Sequence, residues 1–247
     1  MSVNYLDQLN PNPNSSPNNN RTWPSGASVL GPCPDQYKGE LTYNPNSAFI
    51  FTPNFFSNID YQVNATNLTA QCVNNINIAN PIVIILESPH ISEFCLFCHK
   101  ALGPAMGVTG NNFIKYIDYA VQKSTKFKSF LKIDSTYPVI FVNAVQFQTS
   151  EGVSPINQQI RDSNWINEFN KNNDLLQRLQ ALNPYAIINL CTKGLNKDNT
   201  LQNQVETLIN NNINSLSNNQ VPFHTTGFHP ASWQKLLKNH PSVQLIK

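Results

Sequence analysis

Three polar segments of the sequence carry side chains that suit catalysis. They are Glu87-Ser88-Pro89-His90, Asn143-Ala144-Val145-Gln146-Phe147 and Gly227-Phe228-His229-Pro230. A carboxylate such as Glu87 stabilises positive charge or activates water, the imidazole of His229 donates a hydrogen bond or transfers a proton, and the amide of Asn143 both donates and accepts. Together these groups would suit a hydrolysis in which charge separates, provided that the fold brings them to one cleft.

Each segment directly follows a short run that is typical of a buried strand. Residues 82–86, 139–142, 186–190 and 223–226 are rich in β-branched residues and are bounded mostly by Pro or Gly. Between these runs, apolar residues recur at spacings of three and four, which predicts helices. The helical positions are Phe113, Ile117, Ala120 and Val121, then Leu175, Leu176, Leu179 and Leu182, then Leu201, Val205, Leu208 and Ile209.

Strands that alternate with helices imply right-handed crossovers and a parallel sheet covered on both faces. We therefore predict a three-layer α/β/α fold with a central, mainly parallel four-stranded sheet. Ligands of such sheets bind at the carboxyl ends of the strands. The three polar segments follow three of the four predicted strands, so this edge is the expected site.

The first part of the chain has a different composition. Residues 1–46 are dense in Asn, Pro and Ser, and such a segment buries too little apolar surface to form its own core. We expect an extended N-terminal arm that is partly ordered by packing on the main domain, followed by one α/β domain at residues 47–247. The stretch from Ala48 to Ala79 does not discriminate between helix and strand.

Composition limits the classes of partner. Charged residues make up 12% of the chain and the net charge is +2, so a nucleic-acid footprint would have to come from local clusters. The N-terminus resembles no leader, and no apolar run reaches the about 18 residues of a membrane span. We expect a cytoplasmic monomer that has no contact with membranes and whose five cysteines are reduced.

One cysteine cluster offers an alternative class of function. Cys95-Leu96-Phe97-Cys98-His99 matches the spacing of covalent haem attachment, and its thiols could bind zinc or an iron–sulfur cluster together with Cys33, Cys72 or Cys191. Haem attachment requires export and a distal ligand, and no second close pair of cysteines completes a metal site. The favoured interpretation is buried structural thiols, with no metal and no cofactor.

The order of the polar segments resembles the uracil-DNA glycosylase superfamily. An acid-containing turn with Pro after the first strand, a strand that ends in Asn, and a His-Pro turn after the last strand are similar to its three motifs. The loop at residues 103–110, Gly-Pro-Ala-Met-Gly-Val-Thr-Gly, resembles the Gly-rich loop of the bacterial and archaeal branches. The likeness covers about residues 80–240 and implies a DNA glycosylase, which flips a nucleotide, hydrolyses the N-glycosidic bond and leaves an abasic site.

The resemblance implies roles for individual residues. Glu87 takes the place of the acid that activates water, although Leu86 and His90 replace the glycines that flank this acid in one branch. Another branch carries the acid at the position of Ser88, so His90 is a second candidate. His229 donates to the departing base and Asn143 reads its Watson–Crick edge. Further base-binding positions are Ala105, Ser88, Pro89 and Phe113.

Each of these three assignments has a structural alternative. Glu87 could cap a helix, Asn143 could be a turn residue, and His229 could be a satisfied histidine before Pro. Their joint placement at strand ends favours the functional interpretation.

The segment after His229 would contact DNA. Trp233 takes the position of the apolar wedge that enters the duplex, and Gln234 and Lys235 beside it would contact phosphates, although a core position for Trp233 is the alternative. A run of lysines either adds phosphate contacts or forms a solvated helix face. Its members are Lys115, Lys123, Lys126, Lys128 and Lys132.

Two positions favour a base larger than uracil. Ala105 takes the place of an aromatic residue that stacks on the base, and His90 takes that of a Tyr that excludes groups at C5. The wider pocket would accept a bulky modified pyrimidine, such as glucosylated 5-hydroxymethylcytosine in phage DNA, which implies a defence role. The alternatives are a uracil-excising repair enzyme and an inactive protein of the same fold that binds DNA or a nucleotide.

Overall fold

The computed structural model describes residues 33, 35–44, 46, 48–53, 62–63, 79–90, 93, 103–147, 149, 156–171, 174–195, 200–217 and 220–247. These residues form an α/β fold around a seven-stranded mixed sheet. The strands are β1 (Asp35–Tyr43), β2 (Phe49–Pro53), β3 (Gln62–Val63), β4 (Ile82–Leu86), β5 (Ser135–Asn143), β6 (Ala186–Asn189) and β7 (Phe223–Thr226). They are arranged in the order β2-β1-β5-β4-β6-β7, and β3 pairs with β1 beside this path.

The four predicted strands are neighbours in this sheet. β5, β4, β6 and β7 are mutually parallel, with Leu86 beside Asn143 and Asn189 beside both Ile85 and Thr226. Every residue of β4 and β6 is buried. Continuous β-branched runs are stable only in strands that are covered on both faces, which explains why the sequence identifies them. Their carboxyl ends meet at one edge, which we call the carboxyl edge.

The sheet is larger than the predicted four strands, and it is not parallel throughout. β1 runs antiparallel to β5, and both β2 and β3 run antiparallel to β1. β1 lies inside the segment assigned to the N-terminal arm, so the expected boundary at residue 46 separates a strand from its own sheet. Its sequence, DQYKGELTY, is mostly polar: Asp35 and Gln36 are buried polar residues, and from Tyr37 onward buried residues such as Leu41 alternate with partly exposed ones.

A β-bulge next to Gly39 adapts β1 to its neighbours. The register of β1 on β5 shifts between Tyr37 and Gly39. Gly39 has a φ of 145°, and an added Cβ would lie 2.2 Å from the carbonyl oxygen of Thr52 in β2. Only glycine permits this close approach of two backbones.

Helices cover both faces of the sheet. They are α1 (Val108–Lys123), α2 (Thr125–Phe130), α3 (Ile156–Lys171), α4 (Leu175–Leu182), α5 (Leu201–Asn212) and α6 (Trp233–Asn239), with short 3-10 turns at Ile213–Ser215 and Pro230–Ser232. One face packs Ile84 of β4 against α1, α2 and α6, and the other packs Ile85 against α3, α4 and α5. None of the described helices is long and apolar enough to cross a membrane.

The predicted helices at residues 113–121, 175–182 and 201–209 are confirmed as α1, α4 and α5. The sequence did not identify α3. Its buried aromatic residues Trp165 and Phe169 stack with ring centroids 4.5 Å apart, and their spacing of four residues is helical. The surrounding Asn-rich sequence obscures that signal.

Candidate active site

The direction of the crossovers marks one crevice at the carboxyl edge. The chain leaves β4 towards β5 on one side and leaves β6 towards β7 on the other. Ligands of open α/β sheets bind where the connections diverge in this way, so the ends of β4 and β6 delimit the expected crevice. Glu87, directly after β4, reaches across it, because its Oε2 accepts a hydrogen bond from the Thr192 N–H at 3.2 Å.

Glu87 is held from the side of α3. Its Oε1 lies 3.4 Å from Nη1 of Arg161, and its backbone carbonyl accepts a hydrogen bond of 2.7 Å from the Trp165 indole. Arg161 also pairs with Asp162 at 2.6 Å, and Asp162 accepts the Leu195 N–H at 2.7 Å. The side chain of Glu87 is 14% exposed. This arrangement places a fixed carboxylate at the crevice.

Asn143 ends β5 with a buried amide that is only partly satisfied. Its Nδ2 donates to Oε2 of Glu93 at 3.4 Å, whereas its Oδ1 is buried and has no partner among the described residues. Such an acceptor costs about 1–3 kcal/mol when it stays unpaired. A bound molecule with an N–H or O–H group would remove this cost.

A buried ion pair fixes the backbone of this strand end. Arg178 donates to the carbonyls of Asn143 at 2.9 Å and Ala144 at 3.3 Å, and it pairs with Asp35 of β1 at 2.7 Å. Arg178 and Asp35 are both buried. A guanidinium has five donors in a rigid fork, so one side chain joins β1, β5 and α4. Arg178 therefore positions Asn143 indirectly.

Glu93 was not identified from the sequence. Its Oε1 accepts the Ala105 N–H at 2.8 Å, and its own N–H donates to the carbonyl of His90 at 2.8 Å. Burial raises the pKa of Glu93 to about 7, and hydrogen bonds from Ala105 and Asn143 partly oppose this rise. Near neutral pH this carboxyl group therefore exists in both protonation states. It lies in a loop without periodicity, so no pattern in the sequence points to it.

His229 is held as a neutral imidazole at the start of the turn Pro230–Ser232. Its Nδ1 accepts a hydrogen bond of 3.3 Å from the Ala231 N–H, so the ring proton is on Nε2. Burial lowers the pKa of His229, while the Glu87 carboxylate raises it and the Arg161 guanidinium lowers it further. The charges of Glu87 and Arg161 therefore both act on the His229 imidazole.

The His229 turn is anchored to α1. Nδ2 of Asn112 donates to the carbonyl of Pro230 at 3.1 Å, and Oγ of Ser232 donates to the carbonyl of His229 at 2.7 Å. Because α1 begins directly after the loop at residues 103–107, one helix connects the histidine turn with the Ala105–Glu93 contact. The imidazole therefore occupies a defined place at the edge.

The prediction that Trp233 is a wedge is wrong. Its side chain is completely buried, its indole N–H donates to the carbonyl of Phe228 at 2.6 Å, and its ring stacks on Phe113 at 5.8 Å. As the first residue of α6 it faces the sheet. Phe113 also lies in the core, because its ring is 1% exposed and stands edge-on to Phe51 and Phe141, and its base-binding role stays a prediction.

The other predicted residues differ in how close they come to the site. Ala105 is buried, and its N–H donates to the same Glu93 carboxyl group that accepts a hydrogen bond from Asn143. Oγ of Ser88 lies 2.7 Å from the hydroxyl of Thr149, and Pro89 is buried beside it. His90 has an exposed side chain, and its described contact at the site is the carbonyl that Glu93 uses. Gln234 and Lys235 are exposed near the start of α6.

Metal-binding side chains do not cluster in the described part of the chain. No group of three or more His, Cys, Asp or Glu residues there could hold an ion. Cys33 and Cys191 are buried free thiols, and burial raises the pKa of each well above its usual value. Cys95, Cys98 and His99 lie outside the described residues, as does Cys72.

No protein-family model, no curated protein and no solved structure matches this chain. What the protein does must therefore be inferred from the side chains at the carboxyl edge.

Proposed function

We propose that the protein is a DNA glycosylase that binds a flipped nucleotide at the carboxyl edge and hydrolyses its N-glycosidic bond. The observation that carries this proposal is the buried, unpaired Oδ1 of Asn143 at an edge that also holds Glu87 and a neutral His229. A flipped base offers N–H groups on its Watson–Crick edge, and these are the partners that such an acceptor lacks.

Each group has a task in the reaction. Breaking the bond between sugar and base leaves positive charge on the sugar and negative charge on the departing base. The Glu87 carboxylate would stabilise the sugar and orient the attacking water, and the Nε2–H of His229 would donate to the base. A neutral imidazole with its proton on Nε2 is ready for this donation, and the Ala231 N–H maintains that tautomer.

The charge of one helical layer supports a polyanionic partner. Residues 108–132 and 233–247, which include α1, α2 and α6, contain eight lysines and one acid, Asp118. In contrast, the two arginines of α3 and α4 are used in ion pairs. Lysines on one side would contact DNA phosphates although the whole chain has a net charge of only +2. These lysines are Lys115, Lys123, Lys126, Lys128, Lys132, Lys235, Lys238 and Lys247.

The substrate that we propose is a bulky modified pyrimidine, such as glucosylated 5-hydroxymethylcytosine in phage DNA. The loop at residues 103–107 contains no aromatic residue that could stack on a small flat base. Ala105 has a φ of 57°, a left-handed conformation that disfavours larger side chains. Uracil is the alternative substrate, because the Asn143 amide can face either pyrimidine.

A second candidate is an inactive protein that binds DNA or a nucleotide. It is favoured by the engagement of both Glu87 oxygens, one with Arg161 and one with the Thr192 N–H. A carboxylate nevertheless has about four acceptor positions, so these two contacts leave room for a water molecule. The two candidates therefore differ in a measurable activity.

Base release discriminates between the candidates. Duplex oligonucleotides that carry uracil, 5-hydroxymethylcytosine or its glucosylated form would be incubated with the protein, and alkali would then cleave any abasic site. We expect release of the glucosylated base, and a loss of about 10²- to 10³-fold in His229→Ala. Asn143→Ala should also lose most activity, whereas Asn211→Ala, an exposed amide on α5, serves as the matched control. Tight DNA binding without release of any base would favour the inactive protein.

A further inference from the structure

Lys38 of β1 has an unusual environment near the proposed base-binding end of the site. Its side chain is half-buried, and its Nζ lies 5.9 Å from the centre of the Phe141 ring and 3.7 Å from Sδ of Met106. The amine donates to the amide oxygen of Gln36, which is a neutral partner. Among the described residues, no carboxylate lies within ion-pair distance of it.

Lys38 lies at the β-bulge and has no register partner in β5, but its contact with Phe141 puts its amine on the same face of the sheet as Asn143. The Lys38 amine lies over the ring of Phe141, and Asn143 comes two residues later in β5, so both side chains point to the same side. Gln36 pairs with Phe141 and packs against the loop of Met106, since a Cβ on Gly103 would lie 2.1 Å from its amide oxygen. Lys38 therefore lies at the wall formed by this loop and the end of β5.

This environment favours a reactive amine. Burial lowers the pKa of Lys38 to about 8, while the charges of Glu93 and Cys33 partly oppose this effect. At pH 7, about one tenth of the side chains would carry a neutral, nucleophilic amine. Lysines in desolvated sites are the ones that form Schiff bases with carbonyl compounds.

We propose that Lys38 is a nucleophile that forms a Schiff base with the aldehyde of an abasic deoxyribose and so cleaves the DNA strand after base release. This inference rests on the proposed function, because base hydrolysis generates the aldehyde. The departing base vacates the space in front of Asn143, and the ring-opened sugar could then approach the wall that holds Lys38.

The steps balance without an oxidant or a reductant. The Lys38 amine adds to C1′, water leaves, and an iminium ion forms. The C2′ proton passes to water or to the ionised Glu93 carboxylate, and the electron pair of that C–H bond expels the 3′-phosphate as the C3′–O bond breaks. Water then hydrolyses the imine, which regenerates Lys38 and leaves an unsaturated aldehyde on one fragment and a 5′-phosphate on the other.

Borohydride trapping on a preformed abasic site tests this step separately from base release. The full chain would be mixed with a duplex that already contains one abasic site, in the presence of sodium borohydride, which reduces the imine to a stable amine. We expect a covalent protein–DNA complex whose cross-linked peptide contains Lys38. Lys38→Arg should lose this complex, while Lys171→Arg, an exposed lysine on α3, should keep it.

Identifying the cross-linked peptide in the wild-type protein shows which lysine reacted. This measurement tests the proposal even if Lys38→Arg folds poorly. Absence of the complex, or a cross-link at another lysine, would overturn the proposal. Base release from the glucosylated oligonucleotide is measured in parallel. Release without trapping contradicts the Lys38 step alone, whereas trapping without any release contradicts the proposed glycosylase.

Discussion

Glu87 and Glu93 belong to the same short stretch of chain and reach the same edge of the sheet, yet they meet opposite environments. Glu87 is 14% exposed and pairs with Arg161 at 3.4 Å. Glu93 is 5% exposed and accepts hydrogen bonds from the neutral Ala105 N–H and the Asn143 amide. Burial disfavours the charged form of a carboxyl group, and it acts on Glu93. Two identical side chains are thereby suited to different tasks.

In the proposed site, Glu87 would supply the negative charge, and Glu93 would orient the Asn143 amide that we propose reads the base. Burial raises the pKa of Glu93 to about 7, so this group is sensitive to protonation near neutral pH. Active sites often contain two acids whose different environments fit them for different roles in catalysis. If the division is correct, substitutions at the two positions should have effects of different kinds.

The largest effect is expected for Glu87→Gln. The amide keeps the shape but loses the negative charge that would stabilise the sugar, so base release should fall by about 10²- to 10³-fold, comparable with the loss of an oxyanion-type contact. The measurement is the single-turnover rate on the glucosylated oligonucleotide. Glu40→Gln, on the partly exposed side of β1, is the control. An unchanged rate would assign Glu87 a structural role through Arg161 and Thr192.

An intermediate effect, on stability, is expected for Glu93→Gln. A raised pKa in the folded state means that the folded protein holds this proton more tightly than the unfolded chain. The associated stability is present below 4.5, the ordinary pKa of a glutamate side chain, and is lost as pH rises through about 7. The loss amounts to about 3 kcal/mol at most. The variant should lose correspondingly less stability between pH 4.5 and 8.

Urea unfolding at several pH values between 4.5 and 8 measures this difference. Glu87→Gln provides the matched comparison, because its carboxyl group is partly exposed and paired with Arg161. If the stability of Glu93→Gln declined with pH as steeply as that of the wild type, Glu93 would not be the buried group that titrates.

The smallest effect is expected for Arg161→Gln. This change removes a cation that lowers the pKa of His229, so that pKa should rise. The ion pair with Glu87 is partly exposed, so base release should change by less than about tenfold. A nuclear magnetic resonance titration of the His229 ring measures the shift, with Lys171→Gln on the same helix as the control. An unchanged or lower pKa would show that Arg161 does not act on His229.

The parallel strands of the sheet could be predicted because each is buried on both faces. Their β-branched runs are long enough to stand out from an Asn-rich chain. Once the end of each strand is known, the polar residues that follow it can be placed at the carboxyl edge. β1 could not be predicted in this way. It alternates inward-facing residues such as Leu41 with polar ones, and a composition dense in Asn, Pro and Ser surrounds it.

The error at Trp233 has a specific physical cause. A large aromatic residue beside Gln234 and Lys235 is compatible with an exposed wedge and with a core position, and the local sequence does not discriminate between them. The turn Pro230–Ser232 determines the direction in which α6 begins, and this direction brings the indole against Phe113. The orientation of the first turn of α6 thus decides whether Trp233 faces the solvent or the core.

The sequence by itself determined the parallel strands and the identity of the groups at their carboxyl ends, since burial on both faces requires continuous apolar runs and chain order places Glu87, Asn143 and His229 after them. Only the tertiary structure decided that Glu93 accepts a hydrogen bond from Asn143, that Lys38 lies over Phe141, and that Arg178 joins Asn143 to Asp35. These residues lie on elements distant in sequence or in loops without periodicity. Their proximity depends on strand register and loop packing, which no local pattern of residues specifies.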